Sequence, residues 1–394
     1  MYSEVHDEPF LKSDKVQDSK TMSIYRVGGY VRDKLLGITP HDCDYVVTGS
    51  SADEMLKLGY TQVGKSFPVF LHPKSKEEYA LARTERKIAS GHTGFITNSS
   101  KEVTLEQDLS RRDITINAIA EDAEGKIIDP FNGVQDLRDR IIRHVSPAFS
   151  EDPLRILRVA RFAARFNFDV ANETIELLTS MGINQDGLTL SRERILGELD
   201  KALSYKYSSQ FFNILIKTKN LRVFFPNLAK AIGEQRQQKM LISTLEQLQD
   251  IKTKYLALAY MLSISSLQQK INEFANDKQT LNLMKHAILI FEFLAHTRDN
   301  NFTDEQLLDL LKQSNALRDN QQFALLLRLI SELSNFQNEI SRLNLEFLKE
   351  LSLTLTQLDF SDLVNSTSLN QNIARAVYAR QLLTINLVRT NYGI

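Results

Sequence analysis

The spacing of apolar side chains changes along the chain. In the first ~150 residues they form short runs bounded by glycine, proline and polar residues, which is typical of β-strands. In the second half, leucines recur at three- and four-residue intervals, which predicts amphipathic helices packed on a core; the clearest run is Leu307, Leu308, Leu310 and Leu311. The predicted strands are 24–27, 43–48, 69–72 and 79–82, with 118–121 and 126–128 joined as a hairpin across Gly125.

Helix-breaking residues have the same uneven distribution. Seven of the eight prolines lie at or before Pro153, and thirteen of the fifteen glycines precede residue 200. Because these residues mark turns and strand ends, the sequence predicts an α+β fold, with a mixed α/β part followed by an all-helical part. The predicted boundaries lie near residues 145, 210 and 300.

The composition excludes several classes of protein. The 394 residues include 48 basic and 49 acidic side chains, so the chain is not a globally basic nucleic-acid binder and any polyanion site must be local. The single cysteine, Cys43, excludes a disulfide framework and a cysteine-ligated zinc site and indicates a cytoplasmic protein. No apolar run approaches the roughly 18 to 20 residues of a membrane helix. Residues 1–21 are polar and are interpreted as a disordered leader, with Met22 as an alternative start.

A glycine pair follows the first predicted strand. In YRVGGYVRDKLLG, Gly28 and Gly29 lie between a strand and a helix, where glycine allows the backbone to approach a phosphate closely. Arg32, one turn into the helix, could add a bidentate phosphate contact. A purely structural turn remains the alternative for this short pattern.

Two aspartates lie close behind that turn, in HDCDYVV. Asp42 and Asp44 are two residues apart, so on a strand they would share one face. Two carboxylates beside a phosphate-binding turn can hold Mg²⁺ ions for phosphoryl transfer. Glu78 is a candidate third carboxylate, and Cys43 is expected to point into the core. The alternative is an edge strand with solvated aspartates.

Adjacent arginines occur in TLEQDLSRRDITINAIA. Arg111 and Arg112 precede a predicted strand, with Asp113 and Asn117 nearby. Such pairs are often solvated, but a local acid can fix one of them to bind a triphosphate.

A row of arginines lies on a predicted helix after Pro153, in EDPLRILRVARFAARF. At 100° per residue, four of them fall within about a third of the circumference, opposite an apolar face: Arg155, Arg158, Arg161 and Arg165. This face is suited to polyphosphate or a nucleic-acid backbone; the alternative is a basic stripe paired with acids elsewhere.

These motifs together resemble the class II tRNA nucleotidyltransferase family, which adds CCA to tRNA and shares its head domain with bacterial poly(A) polymerases. The resemblance covers about residues 22 to 215. It also rests on KSFPVFLHPK, EYALARTERK, GHTGF and DPFNGVQDL, in the family's order. It implies a polymerase-β-like mixed-sheet head at 22–145, followed by an all-α neck at 146–210, body at 211–300 and tail at 301–394.

The resemblance also assigns roles to particular residues. Asp42 and Asp44 would be catalytic and hold Mg²⁺. The residues expected to contact ATP or CTP are Gly29, Arg32, Arg112, Asp152, Arg155, Arg158 and Arg161.

Among these, Asp152 and Arg155 would act as an amino-acid template for the base. Cytosine and adenine both present an amine donor beside a ring-nitrogen acceptor, which matches an aspartate acceptor beside an arginine donor. Uracil and guanine place a carbonyl where the amine would be, and the unmet contact costs roughly 1 to 3 kcal/mol.

The resemblance implies template-independent addition of C, C and A to the 3′ end of tRNA from CTP and ATP, with release of pyrophosphate. The partners would be tRNA, ATP and CTP; no membrane and no obligatory protein partner are implied. Three alternatives remain: an enzyme that adds only CC or only A, a poly(A) polymerase, and a non-catalytic RNA-binding protein.

Proteobacterial relatives often carry a C-terminal His-Asp phosphohydrolase domain. The helical half of this chain has only two histidines, His286 and His296, too few for its metal cluster. The two His-Asp dipeptides of the chain, His41 with Asp42 and His6 with Asp7, lie outside the helical half. We therefore expect a chain of the proteobacterial type that lacks this domain.

Overall fold

The computed structural model divides the chain into two compact units, residues 1–191 and 192–394. The expected leader, His41, and parts of the KSFPVF and GHTGF motifs lie outside the described residues. The structure describes residues 22–40, 42–63, 69–87, 95–183, 190–275, 277–296, 302–334, 342–366 and 370–393.

A seven-stranded mixed sheet forms the centre of the first unit, in the order β3-β4-β5-β2-β1-β8-β9. Strands β2 and β5 are parallel, whereas the other neighbouring pairs are antiparallel. Two smaller pairs, β6-β7 and β10-β11, lie outside this sheet. The strands are β1 (Ser23–Val27), β2 (Asp44–Thr48), β3 (Thr61–Val63), β4 (Val69–Leu71), β5 (Glu78–Leu81), β6 (Thr84–Lys87), β7 (Phe95–Asn98), β8 (Ala120–Glu121), β9 (Ile127–Ile128), β10 (Ile141–Ile142) and β11 (Asp169–Val170).

All strands predicted from the sequence are present, within two residues at each end, and the predicted hairpin is β8-β9. The sequence did not predict β3, β6, β7, β10 and β11, because these strands have two to four residues and no apolar alternation.

Helices surround this sheet and make up the second unit. The first unit contains α1 (Gly29–Leu35), α2 (Ala52–Lys57), α3 (Leu105–Ser110), α4 (Gly133–Asp139), α5 (Leu154–Phe166) and α6 (Asn172–Ile183), with 3₁₀ turns at Thr115–Asn117 and Pro147–Glu151. The second contains α7 (Arg192–Ser204), α8 (Ser209–Lys217), α9 (Leu221–Phe224), α10 (Pro226–Ala231), α11 (Gln235–Gln247), α12 (Ile251–Ile264), a 3₁₀ turn at Gln268–Glu273, α13 (Lys278–His296), α14 (Asp304–Gln313), α15 (Asn320–Ser334), α16 (Arg342–Thr356), α17 (Ser361–Ser366) and α18 (Asn370–Tyr392). The predicted α+β class is confirmed.

Both faces of β2 are buried. Val46 packs into a cluster on one face, with Val27, whereas Tyr45 and Val47 pack into a cluster on the other. Successive strand residues point to opposite faces, so a strand covered on both sides reads as a continuous apolar run. Cys43 packs against the second cluster, as expected from the sequence.

The helical unit confirms the leucine pattern. The four leucines at 307, 308, 310 and 311 lie on α14 and are buried. Lys254 on α12 is also fully buried, and its ammonium group donates to the carbonyls of Leu203 (2.9 Å) and Tyr205 (2.7 Å) at the end of α7. None of the helices in the described part of the chain is long and apolar enough to cross a membrane. The neck, body and tail boundaries stay predictions.

Helix α4 holds the 3₁₀ turn at Thr115–Asn117. Thr115 donates its hydroxyl to Asp136 of α4 at 2.6 Å. At Gly133 the two backbones are so close that a Cβ atom would lie 2.2 Å from the carbonyl oxygen of Thr115. Asp129 fixes the start of α4 by accepting from the amides of residues 133 and 134. The DPFNGVQDL motif therefore builds a brace behind this turn.

We expect Gly133→Ala to separate α4 from the turn and to lower the stability of the first unit by about 1–3 kcal/mol, the usual cost of overpacking. Calorimetric melting measures the effect. Gly197→Ala is the control, because a Cβ atom there meets nothing within 4 Å and alanine favours the helix. Equal melting temperatures for Gly133→Ala and the parent protein would contradict the brace.

Candidate active site

The glycine turn brings the backbone against an arginine. Gly28 has φ +68° and precedes α1, and its amide donates to the carbonyl of Ile119 at 3.2 Å. A Cβ atom on Gly28 would lie 2.8 Å from Nη1 of Arg112. Glycine is therefore required at this position for two reasons. Its φ angle is positive, and a side chain would clash with the guanidinium group of Arg112.

Sheet register places a carboxylate next to this turn. Asp44, the first residue of β2, pairs with Val27, the last residue of β1 before the turn. Asp42 precedes the strand and does not belong to it, so the expectation that strand alternation aligns both carboxylates was wrong for Asp42. Both side chains are exposed, and neither makes a hydrogen bond or ion pair with a described residue.

These two carboxylates suit a divalent cation. Mg²⁺ prefers oxygen ligands that are not already neutralised by another charge. Burial raises the pKa of the Cys43 thiol, which lies between them in the sequence, to about 11. Glu78 begins β5 at the same end of the sheet, but no group of three or more potential ligands forms a metal site within the described ranges.

A buried carboxylate holds the arginine pair. Asp108 on α3 is 0% exposed and accepts from Arg111 at 2.6 Å and from Arg112 at 3.3 Å. Burial alone would raise the pKa of Asp108, but the two guanidinium charges outweigh it and hold the pKa below its usual value. One negative charge thus faces two positive charges, which leaves a positive excess beside the glycine turn.

A second buried carboxylate reaches the arginine helix α5. Asp113 is 7% exposed; its Oδ2 accepts from Nε (2.8 Å) and Nη2 (2.7 Å) of Arg158, and its Oδ1 accepts from the amide group of Asn117 at 3.0 Å. Burial opposes ionisation, yet Arg158 and these hydrogen bonds lower the pKa of Asp113 to about 2.

Arg32 is held from both sides. It is 3% exposed, donates from Nε to Asp33 at 2.8 Å, and donates from Nη1 to the side-chain oxygen of Asn117. Its guanidinium carbon lies 5.6 Å and 5.0 Å from the ring centroids of Phe162 and Phe166 on α5. Burial lowers the pKa of Arg32, and the charge of Asp33 opposes that change.

The arginine face of α5 is turned toward the sheet domain. Arg158 pairs with Asp113, Arg165 pairs with Asp33 at 2.9 Å, and Arg161 is buried against the Phe162 ring. The acid pairing that the sequence left as an alternative is present for Arg158 and Arg165, and polyphosphate binding by this face stays a prediction.

The proposed base-template residues lie where α5 begins. Asp152 accepts from the amide of Leu154 at 3.0 Å and so fixes the helix start, which Pro153 marks as expected. Arg155 donates to the carbonyls of Ala148 (3.0 Å) and Arg111 (2.6 Å). Arg155 therefore ties α5 to the chain segment that carries Arg111 and Arg112.

Sequence reasoning missed the side chains that organise these arginines. Asp33 and Asp108 received no role, and Asn117 was noted only for its position. The spacing of Asp108, three and four residues before the arginines that follow α3, is a signal that could have found it.

Comparisons with known proteins agree with this geometry. Residues 24–143 match the model of the poly A polymerase head domain, and residues 167–232 match the "Probable RNA and SrmB-binding site of polymerase A". The multifunctional CCA protein of Shewanella frigidimarina is 54% identical over 221 residues, and that of Mannheimia succiniciproducens is 53% identical over 215 residues. Over its first half, the chain is therefore similar to CCA proteins and to the head domain of poly A polymerases.

The matches to these curated proteins are partial. They cover 55% and 54% of this chain, which spans about half the length of each relative (53% and 51%). Solved structures extend the likeness in fold. The Bacillus stearothermophilus CCA-adding enzyme in complex with CTP is 22% identical with a TM-score of 0.61, covering 93% of this chain and 89% of its own. The Thermotoga maritima CCA-adding enzyme complexed with tRNA is 20% identical with a TM-score of 0.54, covering 94% and 91%.

We expect Asp113→Asn to destabilise the first unit, because it leaves Arg158 without its buried counter-charge. The loss should be about 1.5–3 kcal/mol near neutral pH, the range for hydrogen bonds to a charged group, because the side chain of Arg158 is 35% exposed. Since the pKa of Asp113 falls from 3.8 to about 2 on folding, its contribution is complete above the unfolded-state value and is lost as the pH falls toward 2. Between about pH 4 and pH 2, the free energy of unfolding of the variant should therefore change less with pH than that of the parent protein.

Urea unfolding at a series of pH values measures both effects. Asp139→Asn, at an exposed position, is the control and should change stability by less than about 0.5 kcal/mol. An Asp113→Asn protein with parental stability and pH dependence would exclude a structural role for the pair.

Proposed function

We propose that this protein adds C, C and A to the 3′ end of tRNA, using CTP and ATP and releasing pyrophosphate. One observation carries the proposal: two exposed carboxylates, unpaired among the described residues, lie near a glycine turn that contacts Arg32 and Arg112. The carboxylates can bind cations, and the arginines can bind the triphosphate. The likeness to CCA proteins over half the chain supports the tRNA substrate.

Members of this family depend on divalent metal ions, and we propose Mg²⁺ for this chain. Asp42 and Asp44 would hold it, because they are the exposed oxygen donors beside the turn. When bound, the metal lowers the pKa of the attacking hydroxyl and balances charge on the leaving group.

The arginines bind and orient the triphosphate in this proposal. Arg32, Arg112, Arg158 and Arg161 would contact the nucleotide, and Gly29 allows its close approach to the backbone. Asp108 and Asp33 keep the guanidinium groups in place without cancelling the net positive charge. Fixed donors of this kind act without reorganising during the reaction.

Base choice is proposed to rest on Asp152 and Arg155. Their carboxylate acceptor and guanidinium donors match the donor–acceptor edge that cytosine and adenine share and that uracil and guanine lack. Arg155 donates to two backbone carbonyls, which fixes the orientation of its guanidinium group.

The reaction needs no covalent enzyme intermediate. The terminal 3′-hydroxyl of tRNA attacks the α-phosphorus, the bond to the pyrophosphate oxygen breaks, and pyrophosphate leaves with the negative charge. Helical segments after α5 would contact the tRNA, since residues 167–232 match an RNA-binding region of polymerase A. The single cysteine supports a cytoplasmic location.

The decisive experiment offers purified protein three tRNA transcripts, ending before CCA, after C and after CC, each with one of the four nucleoside triphosphates and Mg²⁺. We expect C to be added to the first two transcripts and A to the third, with UTP and GTP used roughly 5- to 150-fold less well. A stall after CC would instead indicate a CC-adding enzyme, and addition of A alone would indicate an A-adding enzyme. Long A-tracts would indicate a poly(A) polymerase.

The double variant Asp42→Asn with Asp44→Asn serves as the negative control for chemistry. We expect a loss of addition on the order of 10³-fold or more, with tRNA binding retained, because only the cation ligands are removed. Asp53→Asn, at another exposed position of the first unit, is the matched control and should keep full activity. Loss of tRNA binding in a folded double variant would show that the carboxylates serve another purpose.

A further inference from the structure

Asn117 lies where the proposed triphosphate-binding arginines meet. Its side-chain oxygen accepts from Nη1 of Arg32, and its backbone oxygen accepts from Nη1 of Arg112 at 3.5 Å. Its amide nitrogen donates to Oδ1 of Asp113 at 3.0 Å, and the other oxygen of that carboxylate holds Arg158. One side chain thus connects an arginine of α1 with an arginine of α5.

A primary amide is the neutral group that fits between these partners. Arg32 offers only donors, whereas the ionised carboxylate of Asp113 offers only acceptors. The asparagine must therefore present oxygen to the guanidinium and nitrogen to the carboxylate, which fixes its orientation. A carboxylate at this position could not donate to Asp113, and an alkyl group could bind neither partner.

The backbone that carries Asn117 is itself fixed. The backbone N–H of Asn117 donates to the carbonyl of Ile114 at 2.9 Å. The same turn is held by the hydrogen bond between Thr115 and Asp136 and by the close approach of Gly133. Only 7% of Asn117 is exposed. The side-chain amide of Asn117 is therefore fixed in position, and it determines where the guanidinium groups of Arg32 and Arg158 lie.

We infer that Asn117 is a positioning residue that sets the separation of Arg32 and Arg158 for a nucleoside triphosphate. The inference rests on the proposed function. It adds that one amide, which touches no reacting atom, determines affinity for the part of the substrate that CTP and ATP share. The effect of changing Asn117 must then be the same for both nucleotides.

The test measures kcat and KM for CTP, with tRNA lacking CCA, and for ATP, with tRNA ending in CC. Asn117→Ala and the isosteric Asn117→Asp should each raise KM roughly 10- to 100-fold for both nucleotides, as expected for a lost charged hydrogen bond. The value of kcat and the KM for tRNA should change less than about 3-fold, because a contact present in both ground and transition states is removed. Asn98→Asp, at an exposed position in the same unit, is the matched control, because an aspartate there can still accept from the amide of Ser100.

Double variants separate positioning from a general loss of structure. In an Arg32→Ala background, Asn117→Ala should raise KM much less than it does alone, because the guanidinium it holds is already absent. In an Asp113→Asn background, Asn117→Asp should also cost less, since the introduced carboxylate then accepts from an amide and no longer faces another carboxylate. Multiplicative effects in both cycles would overturn the inference.

The outcomes distinguish this inference from the proposed function. If the parent protein adds no nucleotide to any tRNA, the proposed function fails. If the parent protein is active and the Asn117 variants keep its KM for CTP and ATP, or change only one of the two, the positioning role alone fails. If Asn117→Asp is unfolded at the assay temperature while Asn98→Asp is not, Asn117 is a structural residue and the inference is wrong.

Discussion

A guanidinium group keeps its proton in proteins, so each buried arginine must find acceptors for a charge it cannot lose. This constraint governs the site. Asp33, Asp108 and Asp113 are buried, and each faces at least one arginine. These pairs are costly to assemble and more costly to break, which makes the arrangement rigid once formed. Rigid donors with a remaining positive excess are what binding of a triphosphate requires.

The sheet places an exposed acid beside the same turn. Pairing of Asp44 with Val27 brings the carboxylate to the glycine turn while leaving it exposed. The acids near the turn therefore fall into two groups, buried ones that neutralise arginine and exposed ones that can accept a cation. The same residue type has two roles because β2 and α3 place it in different surroundings.

The part of this account that came from sequence depended on strong local signals. Three patterns can be recognised without the tertiary structure: the glycine pair, the Asp-Cys-Asp spacing and the arginine periodicity. Their order along the chain pointed to the family. The sequence could not show that Arg158 and Arg165 reach Asp113 and Asp33, since those contacts join segments far apart in the chain. It also could not show the role of Asn117, because a lone asparagine before a strand has no periodicity to reveal it. Short strands such as β10 were missed because two residues cannot display alternation.

The most direct test of the central claim is anomalous diffraction from crystals soaked with Mn²⁺ and CTP. The account predicts manganese peaks bound to the carboxylate oxygens of Asp42 and Asp44, at about 2.1–2.3 Å. The triphosphate should lie against the guanidinium groups of Arg32, Arg112, Arg158 and Arg161. Manganese bound elsewhere, or a triphosphate away from these arginines, would contradict it.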